Sequence, residues 1–267
     1  MPQPDLFSPR ATVRGLAPVS PRVLALSPRV LALGDCAATI SFGDTIAPDI
    51  HARVKAFCAA LAEAAPIPGL GEWAPAFASV TLWYDPDQIA FADLAKRLAD
   101  LAEQPARVGE TGALFEIPFC AEGDFAPDLD EVAALAGLTP EIWLARFAGL
   151  DFEAYMLGFQ PGFAYLGGLP DALSAPRLAT PRKSVPAGSV AIADGMCAAY
   201  PYASPGGWRL IGRTPAILFD IGNAARPALL APGDRVRWRA ISRAEYDALE
   251  RRWRAEGFNP DSLRAPS

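Results

Sequence analysis

From Ala47 onward the apolar positions recur at helical spacing. Ile50, Val54, Phe57, Cys58 and Leu61 fall at i, i+4, i+7, i+8 and i+11, one face of a helix, with His51 just beside it. After a turn through PIPGLGE the period shortens: Val80, Leu82 and Tyr84 alternate with Ser79, Thr81 and Trp83, as in a half-buried strand. Phe91, Leu94, Leu98 and Leu101 then predict a second helix. Upstream, SPRVLAL occurs twice in tandem, at 20–26 and 27–33, too short a copy for a solenoid. Only the second copy runs on into LGDCAATISFGD, so Val30–Leu33 is the predicted first strand and residues 1–26 a loose extension. Strand, helix, strand, helix over 28–105 describes a small α/β sandwich, and 27–108 is its expected extent.

The second half reads differently. GALFEIPFC at 112–120 predicts a strand, and in APGDRVRWRAIS the residues Val236, Trp238 and Ala240 alternate with Arg235, Arg237 and Arg239. Between them, short strand-like runs such as SVAIA and RLIGRTPAILFD are separated by turns rich in Gly and Pro, the pattern of a closed or nearly closed β-barrel over 109–241. A helical insertion, DLDEVAALAGLTPEIWLARF, interrupts it. Asp128 and Glu131 have the spacing of a capping box, and Thr139-Pro140 opens a second helix. A helix-turn-helix would look similar, but its second helix offers only Arg146 to a nucleic acid, so a structural hairpin is expected. In the segment 242–267 Ser242 and Glu245 cap a last helix whose apolar face is Tyr246, Leu249 and Trp253.

Composition narrows the classes of function. With 24 basic and 30 acidic side chains the formal charge of −6 has the wrong sign for holding nucleic acid or anionic lipid by overall charge. The early VLAL runs are interrupted by Ser-Pro-Arg, too short for a signal peptide core, and no run approaches the roughly 20 apolar residues of a membrane span. Cys36, Cys58, Cys120 and Cys197 are widely spaced, and His51 is the single histidine of the chain. Neither a metal site nor a disulfide framework is expected; buried reduced thiols fit a cytoplasmic location.

No GxxxxGK[ST] loop, GxSxG elbow or HExxH pair occurs in the sequence. The unusual chemistry is concentrated instead in three shaped stretches: GFQPGFAYLGGLP at 158–170, TPRKSVPAGSVAIA at 180–193 and YPYASPGGWRLIGRTP at 200–215. Glycine permits tight or left-handed backbone and proline fixes φ, so these are loops built to a shape. Arg182, Lys183 and Arg213 offer positive charge there. The Gly188-Ser189 and Gly206-Gly207 turns offer backbone donors, and Phe159, Phe163, Tyr165 and Trp208 offer apolar walls. Apart from the Tyr165 phenol, the first stretch contains no acid, base or strong nucleophile.

These segments, in this order, resemble the signature segments of the family that includes the 5-oxoprolinase subunit PxpB, the sporulation kinase inhibitor KipI and allophanate hydrolase subunit 1. GDCAATISFGD and LLAPGDRVRW resemble its flanking segments, so the likeness runs from about residue 30 to 247. The resemblance implies an α+β protein, an N-terminal ferredoxin-like α/β sandwich followed by a cyclophilin-like β-barrel. It also implies a subunit of an ATP-hydrolysing 5-oxoprolinase, active only as a complex, that opens the lactam of 5-oxo-L-proline to L-glutamate. The implied partners are a PxpC-type homologous subunit and a PxpA-type (LamB/YcsF-like) subunit, with ATP, and Mg with it, bound by the complex. In that setting Arg182, Lys183 and Arg213 would be catalytic. Phe159, Phe163, Tyr165, Gly188, Ser189, Gly206, Gly207 and Trp208 would bind substrate. The same family allows two alternatives, a KipI-like inhibitor of a sensor histidine kinase and a subunit of a urea carboxylase or allophanate hydrolase system. The chain departs from the family at Phe147, where a histidine is often found.

Overall fold

The computed structural model describes residues 27–103 and 112–265; the expected N-terminal extension lies outside the described residues. The N-terminal layer is an antiparallel sheet of β1 (Arg29–Ala32), β2 (Ala37–Ser41), β3 (Leu70–Pro75) and β4 (Ser79–Tyr84), in the order β1-β2-β4-β3. Two helices, α1 (Pro48–Glu63) and α2 (Phe91–Ala102), cover it. Val80, Leu82 and Tyr84 are buried as their alternation requires, against Val54, Phe57, Leu94 and Leu98. The sequence reading missed β3, whose LGEWAP carries Gly and Pro and lacks a clean period. Strands β2 and β3, joined by α1, run parallel with β4 between them, a split βαβ unit. The chain order is ββαββα, whereas a ferredoxin-like sandwich runs βαββαβ; the edge place beside β2 is taken by the preceding strand β1.

The second half builds a seven-stranded sheet from β5 (Leu114–Phe119), β6 (Asp151–Leu157), β7 (Ala164–Gly167), β9 (Ser189–Ala193), β10 (Met196–Ala199), β12 (Arg209–Arg213) and β13 (Arg235–Ala240). Their spatial order is β12-β9-β10-β7-β6-β13-β5. The two edges meet at a bridge in which Cys120 and Arg213 exchange both backbone hydrogen bonds, each 2.8 Å, so the sheet is nearly closed. A separate two-stranded ribbon, β8 (Arg182–Val185) with β11 (Ser204–Gly206), lies beside it.

Alternation sorts the side chains of this sheet between two cores. Val190 and Ile192 of β9 and Cys197 and Ala199 of β10 join the interior with Phe119, Phe152, Leu166 and Trp238. Ala191, Ala193, Met196 and Ala198 point the other way, into a second cluster with Phe163, Tyr200 and Trp208. Alanine on that outer face leaves depth for a layer of rings.

The helical insertion forms α3 (Leu129–Leu135) and α4 (Pro140–Ala148), packed on the main core through Val132, Trp143 and Phe147. Phe147, at the position of the family's frequent histidine, is fully buried and stacks on Trp143 at 5.1 Å, a packing role. Thr139 caps α4 by accepting from the Ile142 amide. The expected Asp128/Glu131 capping box does not form: Asp128 makes no side-chain cap, and both carboxylates reach to other strands. The last helix, α5 (Arg243–Glu256), starts at a Ser242 cap and buries Tyr246 and Trp253. Trp253 belongs to the barrel's main core, so α5 is part of that packing unit and not an appendage to it. Glu245 is drawn to Arg239 at 2.9 Å and completes no capping box.

Candidate functional site

Five consecutive strands of the sheet bring the signature loops to one edge. The register pairs Leu157 with Ala164, Ala199 with Val190 and Arg213 with Ser189. The loop 158–163, the turn 186–188 and the segment after Arg213 therefore emerge side by side. Close backbone approach follows: a Cβ at Gly162 would sit 2.7 Å from the Leu218 carbonyl, and one at Gly188 would sit 2.5 Å from that of Thr214. Both glycines also have positive φ, +79° and +78°, so no other residue fits either place without strain.

The GFQPGF loop is a tight turn, with the Phe163 amide donating to Gln160 O at 3.0 Å and Gly158 N to Phe163 O at 3.1 Å. Phe159 at its tip has φ 67°, left-handed backbone in a non-glycine residue, yet the residue is 60% exposed. Holding a bulky residue there costs about 1 kcal/mol or more. Folding gains little in return for so exposed a residue, whose ring pairs among the described residues are edge contacts with Phe163 at 5.2 Å and Tyr200 at 6.3 Å.

Behind Phe159 an aromatic wall is assembled around Phe163, and it includes Tyr200, which the sequence did not single out. Phe163 touches Tyr165, Tyr200 and Trp208, with centroids at 4.9, 5.2 and 6.0 Å. Gly206 leaves the space that the Tyr200 hydroxyl occupies. Phe77, from the β3–β4 turn of the N-terminal layer, meets Tyr165 edge-on at 5.3 Å. Desolvation by burial pushes the Tyr165 and Tyr200 phenols up, away from neutral pH. They are neutral hydrogen-bonding groups and not bases.

The predicted cations do not form one cluster. Arg182 lies against the wall, its Nη2 2.6 Å from Asp128 Oδ1 and its Nη1 3.4 Å from the Trp208 carbonyl. Asp128 is itself buried and accepts the Leu210 amide at 2.6 Å through its other oxygen. Lys183, next along β8, is exposed. Arg209 and Arg177 complete this border: the first donates to Glu131 and to Pro176 O, and the second pairs with Asp194 at 2.9 Å beside the Trp208 ring. Arg213 is at the far end of β12, roughly 13 Å along the strand from Arg209 at about 3.3 Å per residue. Its guanidinium lies 4.3 Å from the Phe125 centroid, and its buried Nε finds no hydrogen-bond partner. Arg243 packs over the same ring at 3.9 Å.

The backbone donors of the Gly188-Ser189 turn are in use. Gly188 N donates to Tyr200 O at 2.7 Å and Ser189 N to Pro186 O at 3.3 Å, so this turn presents no free pair of N–H groups. A Cβ at Gly207 would meet Pro181 at ordinary contact distance, and the Gly207 carbonyl accepts from Leu178 N. Sequence reasoning also missed Asp128, whose spacing to Glu131 is indistinguishable from a helix cap, and Tyr200, hidden among turn residues. All four cysteines are free, but Cys36 is exposed, contrary to the expectation of buried thiols. Among the described residues no group of three His, Cys, Asp or Glu could hold a metal, and no helix is long and apolar enough to cross a membrane.

Comparison with known proteins extends this picture. A family model for the carboxyltransferase domain, subdomain C and D, matches residues 28–230. The chain is 40% identical over 232 residues to the 5-oxoprolinase B subunit of Bacillus subtilis, covering 82% of this chain and 95% of that protein. To the 5-oxoprolinase B subunit of Haemophilus influenzae it is 44% identical over 150 residues, 56% of this chain and 70% of that protein. The solved structure of TTHA0988 matches with TM-score 0.66 and 35% identity over 77% of this chain; the match covers only 40% of that protein's length. Kluyveromyces lactis urea carboxylase matches with TM-score 0.70 over 87% of this chain and 23% of its own, at 18% identity, a likeness of fold alone.

Proposed function

The chain belongs to the carboxyltransferase-domain family that contains the 5-oxoprolinase B subunits, and from that premise we propose that it is one subunit of an ATP-dependent 5-oxoprolinase. The observation that carries this reading is the 40% identity extending over 95% of a protein named as a 5-oxoprolinase B subunit. The complex would open the lactam of 5-oxo-L-proline to L-glutamate in the cytoplasm, with a PxpC-type subunit and a PxpA-type subunit as partners.

A lactam is stabilised by resonance, and phosphorylation of its carbonyl oxygen by ATP makes it an electrophile that water can open. The protein must then supply positive charge and a dry wall. Arg182 and Lys183 border the aromatic face and are assigned the carboxylate or phosphate charge; Arg213, at the other end of β12, serves a separate anionic group. Phe159, Phe163, Tyr165 and Trp208 exclude water, while Gly206 and Gly207 let the ribbon approach them. Gly188 and Ser189 hold the edge loops together, in place of donating to an oxyanion. Among the described residues the rings of the face offer no base or nucleophile at neutral pH and the bordering carboxylates are held by arginines, and the exposed, strained Phe159 marks the edge at which a partner subunit would complete the site.

The test is reconstitution with PxpC-type and PxpA-type subunits, followed by ATP-dependent glutamate release from 5-oxoproline. Inhibition of a histidine kinase by this chain alone, or carboxyl transfer requiring a biotinylated partner, would instead support the KipI-like or urea carboxylase-like alternative.

A further inference from the structure

The N-terminal layer and the barrel meet at a seam built around the single histidine of the chain. His51, just beside the apolar face of α1 in sequence, is 2% exposed and lies face to face with Tyr155 of β6, centroids 4.0 Å apart at 23°. Gly167 on the neighbouring strand leaves room for the Tyr155 ring. Lys55, one turn along α1, pairs with Glu153 of β6, and Phe77 packs on Tyr165 beside them. Neither imidazole nitrogen has a hydrogen-bond partner of good geometry.

A neutral ring tolerates this stack, whereas an imidazolium brings a charge and a second N–H donor into a buried place where burial and Lys55 oppose it more than the Phe77 backbone and the already paired Glu153 favour it. The charged and polar groups facing it are Lys55 from α1, Glu153 and Tyr155 from β6, and the Phe77 backbone from the β3–β4 turn. Glu153, the one anion among them, is already engaged by Lys55.

We propose that protonation of His51 releases the N-terminal layer from the barrel, so that this layer is a proton-operated cover over the aromatic face carrying Tyr155 and Tyr165. The inference stands apart from the 5-oxoprolinase reading, since it concerns only contacts within this chain. Burial is the largest influence on the ring and holds its pKa below the ordinary value; the Lys55 charge acts in the same sense, while Glu153 and Phe77 oppose them. A depressed pKa in the closed form means that the open form binds more protons. The contribution of His51 to closure is therefore fully present above the ordinary imidazole value of about 6.5 and is lost as pH falls through the depressed one.

With a single histidine, the untagged full chain gives one imidazole signal in NMR, and its titration needs no assignment. We expect a midpoint below about 6.5. Over the same range, amide exchange in 48–63, corrected for intrinsic rate, should rise by up to about tenfold per pH unit, while β9 stays protected. His51→Phe keeps the ring contact without the proton and should show no rise. An imidazole titrating at or above about 6.5, as it would if Glu153 turned from Lys55 to His51, overturns the proposal. So does loss of protection in β9 together with the seam, or a His51→Phe chain that follows the wild type; should that variant fail to fold, the wild-type titration and exchange decide.

Discussion

Arg182→Ala separates a residue that only holds the fold from one that also meets a ligand. The structure sets the size of the first effect. Arg182 is paired at 2.6 Å with Asp128, whose side chain is 8% exposed against 27% for the arginine. Removing one partner of a fully buried pair costs about 3–5 kcal/mol, because the other charge is left uncompensated. Here Asp128 keeps its bond from Leu210 N, and the vacated side opens to water, which places the loss nearer about 2–3 kcal/mol. For a chain of this size that corresponds to a fall of about 5–10 °C in Tm, read by circular dichroism and checked against the urea midpoint. Lys183→Ala, at an exposed position, is the control and should stay within about 0.5 kcal/mol of wild type. If Arg182 also contacts an anionic substrate, kcat/KM of the reconstituted complex falls further, at a temperature where the variant is fully folded. An Arg182→Ala chain as stable as the Lys183→Ala control would refute the reasoning, since the Asp128 pair would then hold nothing.

Three further substitutions probe separate points. Gly188→Ala places a Cβ 2.5 Å from the Thr214 carbonyl at φ +78° and should lower stability by about 2 kcal/mol or more in urea titration; a neutral result would mean that the edge loops are not packed as described. Phe159→Gly relieves left-handed strain and should be neutral or stabilising by up to about 1 kcal/mol, while activity of the complex falls through loss of the exposed ring. Ser242→Ala should cost about 1 kcal/mol in the same titration, the worth of the α5 cap that accepts from Glu245 N at 3.2 Å.

Much of the fold was legible wherever a period was clean. The alternation in β4 and β13 and the helical spacing of α1 and α2 depend on which side chains face the core, which is local information, and the structure buries Val80, Leu82, Val54, Leu94, Val236 and Trp238 accordingly. The edge strand β3 was not legible, because its glycine and proline read as a turn. The partners of Asp128 and Glu131 were hidden for a different reason: one spacing serves both a helix cap and two long-range ion pairs with β8 and β12. The depth of His51 was likewise out of reach, for its burial comes from β6, about a hundred residues along the chain, and nothing in α1 records that contact. At the candidate site, the glycines, prolines and aromatics announced shaped loops, and the structure brings the rings of Phe159, Phe163, Tyr165 and Trp208 together. The charges were harder to place. Whether Arg182 and Arg213 lie together depends on which end of β12 each one meets, and that is a property of strand order.

The central claim, a subunit that works only within a 5-oxoprolinase, is tested most directly by glutamate release from 5-oxoproline in the presence of ATP. It should be measured for this chain alone, for its PxpC-type and PxpA-type partners without it, and for all three together. Turnover is expected only in the complete mixture, accompanied by ATP hydrolysis. Turnover by the partners in its absence, or none in the complete mixture, would contradict it.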